Sequence, residues 1–387
     1  MAKRATFPAP GDRSEVLELT RTRKMALSSH RYVRGNTLQF YDWLASPAAS
    51  GVPEGPPVWI CGDCHVGNLG PVADANGRIR IHIRDLDQTV IGNPAHDLIR
   101  LALSLASAAR GSDLPGVTTA RMLEAIMDGY ASAFEHDFDE TEDNSSPPDA
   151  VRVALKEASA RTWKELAKER IVNVQPSIPL GKKFWPTSAE ERAAIERLFD
   201  DSSISRVATM IKSRDDDSRV ELIDAAYWMK GCSSLGFLRY AVLVGVTEQK
   251  SKTPDYCLMD IKEAVASAAP TAPGSEMPQD HARRVVEGAL HVSPFLGERM
   301  RPTTLLDRPV FIRELLPQDL KLELDRLTAD EALKAAAFLA TVIGFAMLAR
   351  WTSQPANLGN TSWRSIGAET SMPIMAVGQR GRVAHRP

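Results

Sequence analysis

An aspartate and an asparagine stand five residues apart in Gly62-Asp63-Cys64-His65-Val66-Gly67-Asn68, directly after the apolar run Val58-Trp59-Ile60-Cys61. At the end of a strand such a pair can act as one unit. Phosphoryl transfer needs a carboxylate that orients or deprotonates the acceptor hydroxyl, and an oxygen ligand nearby for magnesium. Asp63 meets the first need and Asn68 the second. A second window, Ile83-Arg84-Asp85-Leu86-Asp87, sets two carboxylates at another strand end. Magnesium, a hard cation, takes a few such oxygens and completes its shell with phosphate oxygens. Asp97 follows as a structural brace or helix N-cap, and His65 as a residue that braces the loop. The competing reading is a plain turn, because Asp, Asn and Gly gather in turns for local hydrogen-bonding reasons. The further aspartates Asp85, Asp87 and Asp97 tip the balance toward chemistry.

The elements around these windows are legible from periodicity. Residues 14 to 45 repeat apolar positions at helical spacing, with a break near Ser28-Ser29. Val58 to Cys61 reads as a short strand ended by Gly62. Residues 69 to 90 read as a hairpin turning at Asp74-Ala75-Asn76-Gly77, with Ile79, Ile81 and Ile83 on one buried face. Asp97 to Ala109 carries the Leu98, Leu101, Leu105 pattern of a core helix, and further helices are expected over 117 to 135, 149 to 170 and 188 to 199. Residues 137 to 148 read as a surface loop and Ser213 to Arg219 as a charged linker. Beyond it, Phe237 to Val246, Tyr256 to Ile261 and Pro309 to Leu315 read as strands, Gln279 to Val292 as a helix, and the chain to about 352 as helices.

Composition bounds the function. The 387 residues are 43% hydrophobic and 25% charged, enough for one large core or two lobes with a cleft. A net charge of -2 gives no global basic field for a nucleic acid, so phosphate binding must be local. The N-terminus has no apolar run after its positive start, which argues against a secretory signal. Ala335 to Trp351 is interrupted by Thr341, Gly344 and Arg350 and reads as a buried helix, not a membrane span. A cytoplasmic protein without membrane or nucleic-acid partners is expected. Four cysteines suit reduced thiols. Cys61-Gly62-Asp63-Cys64-His65 fits the haem-attachment pattern, but that route needs export, and Cys232 and Cys257 form no second zinc-like pair.

The Gly62 to Asn68 window resembles the G-D-x-H-x-x-N catalytic loop of aminoglycoside phosphotransferases and choline kinases, which share the protein-kinase-like fold. Ile83 through Leu98, with Gly92, Pro94 and Asp97, is similar to their metal-binding segment. Cys61 departs from that pattern, where histidine is usual, and so does Arg84 before Asp85. Over roughly residues 20 to 350 the chain is more similar to the bacterial domain-of-unknown-function family 2252. That likeness rests on Tyr32-Val33-Arg34-Gly35, Cys61 to His65, Arg84 to Gln88, Gly231 to Gly236, Ile261 to Ala264 and Arg284 to Gly288.

The kinase resemblance implies a phosphate cover and a cation downstream. Gly231 and Gly236, with Ser233 and Ser234 between them, could bring backbone N–H groups close to phosphates. Without that context the two glycines would mark a plain turn, and Lys262 would be a solvated lysine. In the kinase arrangement Lys262 grips the phosphates and is positioned by a glutamate from a following helix. Glu287 is the candidate, since Glu263 lies on the opposite strand face. Arg313-Glu314-Leu315 would be the hinge beside adenine. Because the catalytic segment precedes the clamp, the expectation is an α+β, two-lobed, protein-kinase-like fold in circularly permuted order. Residues 1–212 would form the catalytic region with a helical insert that contacts the acceptor, and 213–318 the nucleotide-clamping region. Residues 319–365 would return to the catalytic lobe, and 366–387 would be a mobile tail. The implied activity is ATP- and magnesium-dependent phosphotransfer to a small-molecule or protein acceptor. AMP transfer on the same site, or nucleotide sensing without catalysis, are the alternatives.

Overall fold

The computed structural model describes residues 7–135, 147–161, 176–231, 235–249, 253–320, 322 and 327–348. Three helices open it: α1 (Arg13–Met25), α2 (Ser29–Gly35) and α3 (Thr37–Leu44). Between the first two, Ser28 turns extended and its hydroxyl accepts from the Arg31 N–H at 3.2 Å, restarting the helix as an N-cap. Strand β1 (Val58–Ile60) comes next, then the hairpin of β2 (Leu69–Ala73) and β3 (Ile79–Ile83). Asp74 builds its turn by accepting from the N–H groups of Asn76 and Arg78, each at 2.8 Å. Strand β4 (Val90–Gly92) pairs antiparallel with β1. Helix α4 (Pro94–Gly111) starts at an Asn93 cap with proline in its first turn, and α5 (Gly116–Glu135) and α6 (Asp149–Ala160) follow.

The next strands are β5 (Phe184–Pro186), β6 (Arg219–Trp228), β7 (Arg239–Thr247), β8 (Asp255–Glu263), β9 (Met300–Leu305) and β10 (Arg308–Leu315). They form an antiparallel six-stranded sheet in the order β5-β6-β7-β8-β10-β9. Side chains alternate across it. One face, including Tyr240, Val242, Met259, Ile261 and Ile312, packs under helix α7 (Ala189–Asp200) and Leu17 of α1. Arg13 fastens α1 there by an ion pair with buried Glu191 at 2.6 Å, and Tyr240 donates to the same carboxylate at 2.8 Å. The other face carries Arg239, Asp260, Lys262 and Arg313 in neighbouring registers.

The larger hydrophobic core gathers α4, α5, helix α8 (His281–Val292) and helix α9 (Ala329–Leu348) around β1 and the hairpin. Helices α5 and α9 cross closely at Gly129 and Gly344, where a Cβ would collide with the Ala337 carbonyl or the Ala133 side chain. Helix α9 is long and apolar enough to cross a membrane by composition, yet Ala336, Leu339, Ala340 and Ile343 are buried in this core. The architecture is α+β. Hydrophobic clustering divides the chain otherwise than the expected boundaries: α1 packs with the sheet, and α8 packs in the larger core. Residues 349–387, which include the expected tail, lie outside the described residues.

Candidate active site

The loop after β1 is held from three points on one helix. Asp97 of α4 accepts from the backbone N–H of Cys61 at 2.7 Å and of Gly62 at 2.9 Å. Arg100 donates from Nε to Asp63 Oδ1 at 2.8 Å, and Ser104 accepts from the Val66 N–H at 3.2 Å. Gly62 has φ of 75°, and a Cβ there would strike the Gln88 carbonyl, so this turn requires glycine. Tyr41 adds a bond from its hydroxyl to the Gly62 carbonyl at 2.7 Å. Asn68 donates to the Asp63 carbonyl at 2.9 Å, which leaves its side-chain oxygen for another partner. His65 Nε2 lies 4.0 Å from Asp63 Oδ2. Burial raises the Asp63 carboxyl, the Arg100 guanidinium opposes that shift, and the charge of Asp85 adds to it. Burial pushes Asp97 up to about 7 against the pull of its two N–H donors.

Asp85 and Asp87 emerge from the end of β3 and meet the sheet. Lys262 Nζ lies 3.2 Å from Asp85 Oδ1 and also binds Asp87 Oδ2, bridging 177 residues of sequence. The ammonium side chain is 3% exposed, whereas the Asp85 side chain is 41% and that of Asp87 19% exposed, so the carboxylates reach solvent and the lysine lies behind them. Burial opposes ionisation of Asp85, but the cations Lys262, Arg239 and Arg313 more than offset it and lower its pKa. Burial and the neighbouring Asp85 charge raise Asp87 to about 6. Its Oδ1 is buried and accepts no hydrogen bond. Behind Lys262, Arg239 holds Asp260 through two bonds of 2.9 and 2.6 Å.

The segment is pinned from its far side by α8. Arg284 donates to the carbonyls of Thr89, of Asp87 at 3.0 Å and of Val265 at 2.9 Å. Gly288, one turn on, lets the helix approach Thr89 with no room for a Cβ. Among the described residues no three His, Cys, Asp or Glu side chains converge as a metal cage. Two carboxylates and an amide oxygen nevertheless fit magnesium, which commonly takes one or two carboxylates plus phosphate oxygens. The unpartnered Asp87 oxygen is the observation that favours a cation there.

A model of the family described as an uncharacterized protein conserved in bacteria, DUF2252, matches residues 13–372. The chain belongs to DUF2252. No curated protein and no solved structure matches it.

In this DUF2252 chain Asp63, Asn68, Asp85, Asp87 and Lys262 border one region, the last three in direct contact. Glu287 does not join them. It is exposed on α8, and the helical phase turns Arg284 and Gly288 inward instead, so α8 positions the carboxylate segment and not the lysine. Gly231 and Gly236 lie in the β6–β7 connection with φ of 87° and 107°, while Ser233 and Ser234 lie outside the described residues. In the expected hinge, Glu314 is buried against Arg214 at 2.9 Å and Arg313 donates to the Arg84 carbonyl at 3.0 Å. Arg100 and Ser104 were not anticipated. Their signal was available: Asp97, Arg100 and Ser104 form a polar stripe at helical spacing within an otherwise apolar face.

Proposed function

We propose that this DUF2252 chain is an ATP- and magnesium-dependent phosphotransferase built on a permuted kinase-like plan. The observation that carries the reading is the contact of Lys262, deep in an antiparallel sheet, with Asp85 and Asp87 far upstream. Phosphoryl transfer depends on positioning and on cations around the polyphosphate more than on covalent chemistry by the protein. Asp85, Asp87 and Asn68 would hold magnesium, whose charge offsets that of the phosphates. Lys262 would supply a positive charge to the phosphates once magnesium takes its place between the carboxylates. Asp63, oriented by Arg100, receives or directs the proton of the acceptor hydroxyl. Gly231 and Gly236, with their left-handed backbone, would bring N–H groups of the β6–β7 connection to the phosphates.

The Asp63–Arg100 pair favours a second reading. The Asp63 oxygen committed to the buried Arg100 guanidinium is one fewer acceptor for a substrate hydroxyl, even though burial leaves the carboxyl raised, and this suits nucleotide sensing with little turnover. AMP transfer uses the same side chains, because such a site does not dictate which phosphate is attacked.

The deciding experiment joins calorimetry with product mass spectrometry on the full chain. Magnesium-dependent binding of a non-hydrolysable ATP analogue is expected, lost in Lys262→Ala and kept in Asp63→Asn. Turnover should fall by about 10²- to 10⁴-fold in Asp63→Asn. Added phosphate on the product supports the proposal, added AMP replaces it with nucleotidyl transfer, and tight binding with no product supports sensing. Absence of any magnesium-dependent nucleotide binding would reject all three.

A further inference from the structure

Lys262 stands where a metal ion held by Asp85 and Asp87 would stand. Its Nζ lies 3.2 Å from Asp85 Oδ1 and also binds Asp87 Oδ2, and among the described residues these carboxylates are its only hydrogen-bond partners. The side chain is buried, so little water is at hand to replace them. Nor does the sheet hold a spare acceptor beside it. The strand register sets Arg239 on one side of Lys262 and Phe311 on the other. Asp260, two residues along the same face, is committed to Arg239 at 2.9 and 2.6 Å and lies 3.5 Å from Arg313. Glu263 falls on the opposite face, where Arg308 and the Leu238 N–H hold it at 3.0 and 2.7 Å.

A divalent ion entering between the carboxylates has to displace this ammonium, and a buried charge stripped of its partner is strongly destabilising. If the ammonium stays close, three positive charges face the two carboxylates. Both penalties are avoided when an acceptor for the ammonium arrives together with the metal. A polyphosphate does this, because its oxygens complete the metal's shell and accept from a lysine at the same time. Asp87 Oδ1, buried and without a hydrogen bond, is not engaged by the lysine and remains for the metal.

The geometry points to Lys262 as a stand-in cation that keeps free divalent metal out of the Asp85–Asp87 pair and yields only to a metal–polyphosphate complex. The inference rests on the magnesium and phosphate roles proposed above, but not on phosphoryl transfer or on recognition of adenine. Its signature is a reversal of sign. Removing a side chain that is no metal ligand tightens the binding of metal while it weakens the binding of phosphate.

Manganese, a spectroscopic substitute for magnesium, is titrated into the full chain without nucleotide, the free ion being followed by electron paramagnetic resonance. Lys262→Met should bind the ion at least about tenfold more tightly than wild type, Lys262→Arg no more tightly, and Lys262→Met combined with Asp85→Asn should lose the gain. Inorganic tripolyphosphate, dialysed to equilibrium with excess manganese, should bind wild type at least about tenfold more tightly than Lys262→Met. A second measurement needs no variant. Manganese alone should leave the wild-type melting temperature within about 1 °C, whereas manganese with tripolyphosphate should raise it by about 2 °C or more. Equal melting shifts with and without tripolyphosphate overturn the inference, and so does a folded Lys262→Met that binds manganese no more tightly than wild type. Failure of the phosphotransferase reading shows separately, as tripolyphosphate binding that no nucleotide analogue matches.

Discussion

The two acidic segments of the site are built on opposite plans. Around Asp63 and Asp97 the carboxylates are buried and their oxygens are met by backbone N–H groups or by Arg100. Around Asp85 and Asp87 they open to solvent, share one ammonium and leave an oxygen without a hydrogen bond. A fully bonded carboxylate fixes a shape, whereas a pair held by a single lysine is ready to exchange that lysine for another cation. In the first segment Asp97 therefore reads as scaffold for the loop that presents Asp63, and the second segment as the exchangeable part.

The difference is testable by stability first. Asp97→Ala leaves two buried N–H donors without an acceptor, each worth about 1–3 kcal/mol. A loss of about 3–5 kcal/mol is expected in urea unfolding. If Asp97→Ala cost no more than Asp85→Asn, the distinction would fail. Next, Asp85→Asn and Asp87→Asn should each lower magnesium affinity at least tenfold in calorimetry while changing stability by less than about 1 kcal/mol, because each also removes like-charge repulsion.

A smaller effect follows from pH. Asp87 binds its proton more readily in the folded chain than in the unfolded one, so protonation favours the fold as pH falls from about 6 toward the ordinary carboxylate range. Magnesium needs the anion. Its affinity should thus decline below about pH 6 while the apo protein is not destabilised by this group, and parallel melting and metal-titration series would reveal the opposite slopes. Least of all, Glu287→Ala should leave nucleotide affinity within about twofold, since its side chain faces solvent. A tenfold loss would restore it as the partner of Lys262.

Much of the exchangeable segment was legible in the sequence, because hard oxygen ligands cluster locally: Asp85 and Asp87 stand two apart, and a lysine in a strand is readable by type. The hairpin and the helical break at Ser28 were legible for the same reason, being set by neighbours in the chain. The scaffold was less so. Arg100 finds Asp63 across 37 residues and Arg13 finds Glu191 across 178, and nothing local in an arginine tells a buried ion pair from a solvated one. The same nonlocality moved α1 to the sheet. Glu287 was misplaced because periodicity gives the faces of a helix but not which face meets the site. Strand β6 went unread, as a register shift between Leu222 and Asp224 breaks its polar–apolar alternation.

The bridge from Lys262 to Asp85 also sets an order in time. At about 5–20 residues per second on the ribosome, the 177 residues between them take roughly 10–35 s to emerge. During that interval the acidic segment has no cation from the sheet and α9 has not yet covered α5, so the newborn first half waits, solvated and incomplete, for chain synthesised last.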